Sequence, residues 1–267
     1  MKYGPVLEKI LANKSNLIKE NKEKASINEL EKLLNNSSAP NFLSIFDSPN
    51  VALIAEIKRS SASAGNINPN LNLKEFVHNY IDNGASAISI LTENTKFSGS
   101  VEDLKEVSKL AGKNNTPVLQ KDFIIDEYQV IEGAVNGASA ILLITSILEE
   151  DKFKSLMQKC SQVSIAPLVE IFNERELDLA LKYDAKIIGI NNRNLNNLET
   201  SLKVFENLAP KVPKEKLLIA ESGLRNIEDV EKMASFGADA VLIGESLLKN
   251  NDISSHINKL SSVKKCK

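Results

Sequence analysis

Charged residues recur where apolar runs end. Glu56-Ile57-Lys58-Arg59-Ser60-Ser61 closes one run, Thr92-Glu93 a second and Lys121-Asp122-Phe123 a third. Farther along, Glu170, Asn191-Asn192-Arg193, Glu221-Ser222-Gly223 and Gly244-Glu245-Ser246 close four more. Lysine and glutamate are seldom buried without a partner. Singly, Lys121 could be a surface lysine, Glu170 a carboxylate at a helix start, and Glu56 with Lys58 a structural ion pair. Together they point to acid–base chemistry, because amines and carboxylates buried side by side tune one another's proton affinity. Gly223 and Gly244 could simply make tight turns, or could offer backbone N–H groups to a phosphate. Glu245 would oppose an anion if it faced inward, so its side chain is expected to point outward. His78 and His256 fall inside helical patterns, away from any run end, and no catalytic role is expected of them.

The elements that must hold these groups announce themselves by an internal echo. Asn83-Gly84-Ala85-Ser86-Ala87, Asn136-Gly137-Ala138-Ser139-Ala140 and Gly237-Ala238-Asp239-Ala240 each precede a short apolar run, and Tyr183-Asp184-Ala185 is a weaker copy. The matching alanines at 85, 138, 185 and 238 are separated by steps of 53, 47 and 53. Each copy reads as a helix ending at a Gly that can adopt positive φ, followed by a buried strand. A step near 50 holds two βα units, so one more strand lies in each gap: 117–123, 164–171 and 217–222, with 51–58 at the front. Ser100, Ser146 with Glu149, and Asn226 mark helix starts. Eight strands alternating with helices imply a closed (β/α)₈ barrel, with an open doubly wound sheet as the alternative. Under the barrel reading, the charged run ends are the C-terminal ends of strands, where such barrels place their sites.

Residues 1–46 precede the first strand and read as an N-terminal helical extension packing on a 47–267 barrel, one domain overall, where the extension could cap one end of the barrel or cover the mouth of its site. Leu7, Ile10, Leu11, Leu17 and Ile18 form one apolar stripe. Ser26 with Glu29 makes a capping box ahead of Leu30, Leu33 and Leu34, and 35–40 reads as a linker.

Composition excludes several classes. The chain has 267 residues, 42% hydrophobic and 25% charged, with 33 basic against 35 acidic side chains. A net charge of −2 gives no bulk attraction for nucleic acid. Cys160 and Cys266 make neither a disulfide framework nor a metal knuckle, and the two histidines form no ligand cluster. No apolar run is long enough for a membrane span, and the first ten residues do not read as a secretory signal. A cytoplasmic protein without a metal, acting on a small molecule, is expected.

The strand-end segments also resemble a known family. Glu56-Ile57-Lys58-Arg59-Ser60-Ser61-Ala62-Ser63, Leu91-Thr92-Glu93 with Phe97-Ser98-Gly99-Ser100, and Lys121-Asp122-Phe123-Ile124 are similar to segments of indole-3-glycerol-phosphate synthases. Leu168-Val169-Glu170, Gly189-Ile190-Asn191-Asn192-Arg193 and Ala220-Glu221-Ser222-Gly223 follow in the family's order, and the likeness runs from about 51 to 248. It implies a cofactor-free carboxy-lyase of tryptophan biosynthesis. The substrate is 1-(2-carboxyphenylamino)-1-deoxyribulose 5-phosphate, whose ring closure, decarboxylation and dehydration yield indole-3-glycerol phosphate.

Carried over by resemblance, Lys121 is the general acid and Glu170 a general base, with Glu56, Lys58 and Asn191 assisting. Arg193 orients the carboxylates and Glu221 contacts substrate. Ser61, Ser222, Gly223, Gly244 and Glu245 lie around the phosphate. Phe97, Phe123, Leu142 and Leu195 form a slot for the aromatic ring. The expected assembly is a monomer or weak homodimer. The chain departs from the family pattern at Ala62, Gln120, Asn194 and Ile171-Phe172, where proline, arginine, aspartate and Val-His are common. Three other readings stay open: a Schiff-base aldolase using Lys121 as nucleophile, a phosphoribosylanthranilate isomerase, and a catalytically silent barrel serving as a scaffold.

Overall fold

A computed structural model describes residues 3–34, 39–61, 65–66, 68 and 71–266. The side chain of Ser61, the loop residue Ala62 and most of the expected linker at 35–40 lie outside the described residues. Eight parallel strands close into a barrel: β1 (Ala52–Ile57), β2 (Ala87–Leu91), β3 (Val118–Lys121), β4 (Ala140–Ile144), β5 (Ala166–Ile171), β6 (Ile187–Asn191), β7 (Leu217–Glu221) and β8 (Ala240–Ile243). The ring is sealed where β1 pairs with β8, from Ala52 opposite Ala240 to Ala55 opposite Ile243. Every residue of β1, β2, β4, β6 and β8 is buried. That is why these strands read as unbroken apolar runs rather than alternating ones.

All eight expected strands are present, each within two residues of its expected limits. The open doubly wound sheet is excluded by closure. A two-residue antiparallel hairpin, Ser60–Ser61 with Gly65–Asn66, follows β1 and was not expected.

The echo in the sequence is a helix-ending device. In α3 (Leu73–Asp82), α5 (Glu127–Val135), α7 (Glu174–Lys182) and α9 (Ile227–Ser235), the last turn closes with a residue of positive φ: Gly84, Gly137, Asp184 and Gly237. The next residue, an alanine each time, returns its N–H five residues back, as Ala85 to Tyr80 O and Ala238 to Met233 O, both in 2.9–3.0 Å. This is the Schellman pattern, and it aims the chain into the following strand. Asp184 fills the glycine's role in the weaker copy at φ 50°. Two further copies end α4 (Val101–Gly112) and α6 (Glu150–Gln162), with Asn115 and Ser164 at positive φ.

Helix starts agree with the sequence at Ser26, Ser100 and Asn226, whose side chains meet the N–H groups of Glu29, Asp103 and Asp229. The Ser146–Glu149 capping box does not form. Residues 145–147 make a 3₁₀ turn, and α6 starts after Glu149 with no side-chain cap.

The N-terminal segment folds as α1 (Pro5–Lys24) and α2 (Ile27–Leu34). Leu7 and Ile10 join the barrel's main core, while Ile18 and Leu30 pack with Tyr128 and Ile131 of α5. Leu33, expected on the buried stripe, is 51% exposed. The barrel's C-terminal end carries a four-residue helix, α10 (Glu245–Leu248), before the last helix α11 (Ile253–Ser261). Gly244 therefore opens α10 and not the last helix. Among the described residues no helix is long and apolar enough to cross a membrane.

Candidate active site

Strand register puts four charged side chains in one layer of the barrel. From Glu56 the pairing runs through Ser89 to Leu119, two residues short of Lys121. From Glu170 it runs through Gly189 to Ile219, two short of Glu221, and from Glu221 through Leu242 to Ile54, two short of Glu56. Strands tilted in an eight-stranded barrel of shear eight advance one residue per strand, so groups offset in this way stand level. Glu56, Lys121, Glu170 and Glu221 thus form a layer from β1, β3, β5 and β7, the four odd strands. A barrel layer is ordinarily filled by bulky apolar residues. Here it holds one lysine and three glutamates.

Their contacts are short. Lys121 Nζ lies 3.2 Å from Glu170 Oε2 and 3.0 Å from Glu221 Oε2. Lys58 Nζ lies 2.5 Å from Glu56 Oε1. Burial alone would weaken the proton's hold on Lys121, but Glu221, Glu170 and Glu56 outweigh it and raise the ammonium's pKa. For Glu56, burial favours the neutral acid, yet Lys58, Lys121 and Arg193 overcome it and keep the carboxyl below its usual range. Glu221 goes the other way. Burial raises its pKa, Lys121 opposes, and Glu170 and Glu56 reinforce burial, so of the groups in this layer its carboxylate takes a proton readily. Its Oε1 is buried without a hydrogen-bond partner. That oxygen lies where a Cβ on Gly189 would come within 2.1 Å, so the side chain needs a glycine below it.

An apolar wall faces this layer. Phe97 and Phe123 lie with ring centroids 6.5 Å apart, tilted by 40°, and Leu142 and Leu195 line the same cavity. Glu93 builds the loop that presents Phe97: its carboxylate accepts the N–H groups of Thr95, Lys96 and Phe97 at 2.7–3.2 Å. Opposite lies a polar corner. Ser222 and Gly223 are consecutive residues of positive φ (64° and 85°), and Gly244 stands beside them in the cavity wall. Arg193 Nε donates to Thr200 Oγ1 at 3.0 Å. Asn191 Oδ1 accepts the Arg193 N–H at 2.9 Å, which fixes the turn between them.

Every residue expected from the sequence lines this one cavity, apart from Ser61, whose side chain lies outside the described residues. Glu245 is corrected in one respect. Its carboxylate is not turned wholly outward: Oε1 binds Lys249 at 2.6 Å and Oε2 lies 3.8 Å from Arg193. These cations draw its charge aside from the polar corner.

Comparison with known proteins adds an independent observation. Residues 7–260 match the family model described as indole-3-glycerol phosphate synthase. The chain belongs to that family. It is 41% identical to the indole-3-glycerol phosphate synthase of Caldanaerobacter subterraneus subsp. tengcongensis over 92% of this chain and 94% of that one. It is 40% identical to the enzyme of the same name from Dehalococcoides mccartyi, over 79% and 81%. Among solved structures, 3-hexulose-6-phosphate synthase from Salmonella typhimurium superposes with a TM-score of 0.64 at 14% identity, over 79% of this chain and 97% of that one. At that identity the likeness shows the barrel fold.

The synthase-family site has a further wall, supplied by the N-terminal extension that could cap one end of the barrel or cover the mouth of its site. Val6, Leu7 and Ile10 of α1 line the cavity. Spacing marked Leu7 and Ile10, but not Val6, as part of an apolar stripe, and spacing does not distinguish a stripe packed on barrel helices from one packed over a ligand cavity. Asp122 was passed over as well. It accepts from Thr92 Oγ1 at 2.6 Å and from the Phe123 N–H at 2.7 Å, and it pairs with Lys14 of α1 at 2.9 Å. The departure at Asn194 changes little locally, because its Oδ1 accepts the Asn196 N–H at 2.8 Å as an aspartate oxygen could.

Proposed function

We propose that this chain, an indole-3-glycerol phosphate synthase, closes the indole ring with Lys121 as the acid at the ketone of 1-(2-carboxyphenylamino)-1-deoxyribulose 5-phosphate. The observation that carries this reading is the Lys121 ammonium, buried between Glu170 and Glu221 and facing an apolar slot. The anthranilate ring sits between Phe97 and Phe123, and the phosphate sits at Ser222, Gly223 and Gly244, steered by Lys58 and Arg193. The aromatic carbon bearing the carboxylate attacks the ketone carbon. Lys121 donates its proton to the ketone oxygen as that oxygen gains charge. Carbon dioxide then leaves, and the electrons of the broken bond restore aromaticity. Finally the new hydroxyl takes a second proton from Lys121, recharged by Glu221, and departs as water while Glu170 removes a proton from the adjacent CH₂. Glu221, 3.0 Å from Lys121 and readily protonated, returns the proton that Lys121 gave up. Each positioned acid or base of this kind is typically worth roughly 10²–10⁴ in rate.

Three carboxylates that favour the ammonium count against Lys121 as a Schiff-base nucleophile, which must be neutral. Residues 1–46 act as part of the barrel unit, because Leu7 and Ile10 lie in its core and its cavity. Free thiols at buried Cys160 and exposed Cys266 suit the reducing cytoplasm. The test is direct assay with the anthranilate-derived ketose phosphate, following indole fluorescence and released carbon dioxide. The chain has no tryptophan to mask the signal. Lys121→Ala should fold normally and lose nearly all turnover. Near-normal turnover in that folded variant would sink the role assigned to Lys121.

A further inference from the structure

The helices after β2, β3, β5 and β7 share a device that the reaction does not use directly. The third residue of each helix, Asp103, Gln129, Glu176 or Asp229, turns its side chain back onto a segment behind it. Asp103 pairs with Arg59 past the end of β1. Gln129 accepts the Ile125 N–H at 2.8 Å and donates to Phe123 O at 3.1 Å. Asp229 accepts the Arg225 N–H at 2.8 Å.

Of these four, Glu176 is the one whose contacts bracket a residue of the charged layer. Its Oε2 accepts the N–H of Phe172 at 2.8 Å, two residues past Glu170. The same oxygen lies 3.0 Å from Thr145 Oγ1, and Thr145 Oγ1 lies 2.8 Å from the main-chain oxygen of Glu170 itself. Asn173 holds the other oxygen, with Nδ2 2.6 Å from Glu176 Oε1, and caps the Glu176 N–H at 3.0 Å. The half-buried carboxyl therefore grips the chain on both sides of Ile171.

We propose that Glu176 is a positioning residue: through Thr145 and the Phe172 N–H it fixes the main chain at the end of β5, and so the direction of the Glu170 carboxylate toward Lys121. A proton count sharpens this. Thr145 has one hydroxyl hydrogen and two oxygen acceptors within 3.0 Å. A proton on Glu176 Oε2 satisfies both links: Glu176 O–H donates to Thr145 Oγ1, and Thr145 O–H donates to Glu170 O. The Phe172 N–H still has a lone pair on Oε2. Burial, with Glu170 nearby, raises the Glu176 pKa in the direction this needs. When Glu176 ionises, Thr145 must divide its hydrogen, and a second negative charge stands behind Glu170.

This inference rests on the ring-closing reading of the site, and the test separates the two. Wild type and Lys121→Ala establish whether the reaction runs and runs through Lys121. Glu176→Ala, Glu176→Gln, Thr145→Val and Thr145→Ser are then compared with wild type for kcat, KM and the pH–rate profile, with circular dichroism confirming the fold. Glu176→Ala and Thr145→Val should each lower kcat about tenfold or more, leave KM within about threefold, and displace the pH–rate profile, because a misplaced base loses rate without losing binding. Glu176→Gln and Thr145→Ser, which keep polar partners, should recover most of the rate. Wild-type kcat and profile in folded Glu176→Ala, or in Thr145→Val should Glu176→Ala fail to fold, would overturn the proposal. So would equal losses in the conservative and disruptive variants.

Discussion

At Lys121 Nζ, three carboxylates share one positive charge, and the imbalance has a measurable sign. Glu221, Glu170 and Glu56 together raise the pKa of the ammonium. A reaction that needs the ammonium loses rate as pH rises through that pKa. Removing one carboxylate lowers the pKa, so Glu221→Gln should move the alkaline limb of kcat/KM toward neutral pH as well as lower kcat. A limb that stays in place while kcat falls would mean that Glu221 does not bear on the proton held by Lys121. The register explains why these four residues and not their neighbours carry the chemistry. Ile57, beside Glu56, is turned to the other face and is buried against the barrel's surroundings. Gly189 is the counterpart to this crowding, since any side chain there would occupy the place of Glu221 Oε1.

Helix α1 is held to the barrel by buried charge. Lys14 and Asp122 are each 4% exposed and sit 2.9 Å apart, one residue from Lys121. Lys14→Met should leave the Asp122 carboxylate buried without its cation and cost on the order of 3–5 kcal/mol in urea unfolding, while adding Asp122→Asn should recover much of that loss. A cost near zero for the single variant would show that water reaches the pair. Close by, Glu132 of α5 accepts from Asn21 of α1 at 3.3 Å, and its pKa is raised to about 7 by burial and by Asp122, against Lys14 and Asn21. Its folded pKa thus lies above its unfolded value near 4.5. The folded state binds more protons across that window, so stability falls as pH rises from about 4.5 to about 7 and is level beyond. Glu132→Gln should therefore match wild type near pH 4 and exceed it at pH 8, by on the order of 2 kcal/mol. The opposite pH trend would refute the assignment.

Elements of this kind differed in how legible they were. Strands were legible because both faces are buried, so that run length alone marks them. Four helix ends were legible through Gly84, Gly137, Gly237 and the weaker Asp184, whereas Asn115 and Ser164 make the same turn without a telltale glycine. Charged residues such as Lys121 and Glu170 stood out because apolar runs end on them. Lys14 did not, because a lysine within an amphipathic helix reads as solvated until its partner, 108 residues away, is in view. The family likeness, and not periodicity, supplied the substrate.

For the molecule as a whole, closure joins its far ends. β1 pairs with β8, and the Val51 N–H binds Val263 O at 2.8 Å. A chain ending after Ser235 lacks β8 and leaves β1 and β7 with open edges, which invite pairing with other chains. Such a truncation should elute as aggregate in size-exclusion chromatography where the full chain does not; a compact, soluble truncation would show that seven strands suffice. The same geometry sets an order in time. Residues near the start of α1 are synthesised well before the rest of the barrel, yet the Gly4 N–H finds Asn196 Oδ1 and Tyr3 reaches Ile147 O, groups made much later. At a translation rate of about 5–20 residues per second, those partners emerge on the order of ten seconds or more after the helix itself. For that interval Val6, Leu7 and Ile10 have no cavity to line, and β1 waits about as long for β8. The ring is complete only once β8, made long after β1, has left the ribosome.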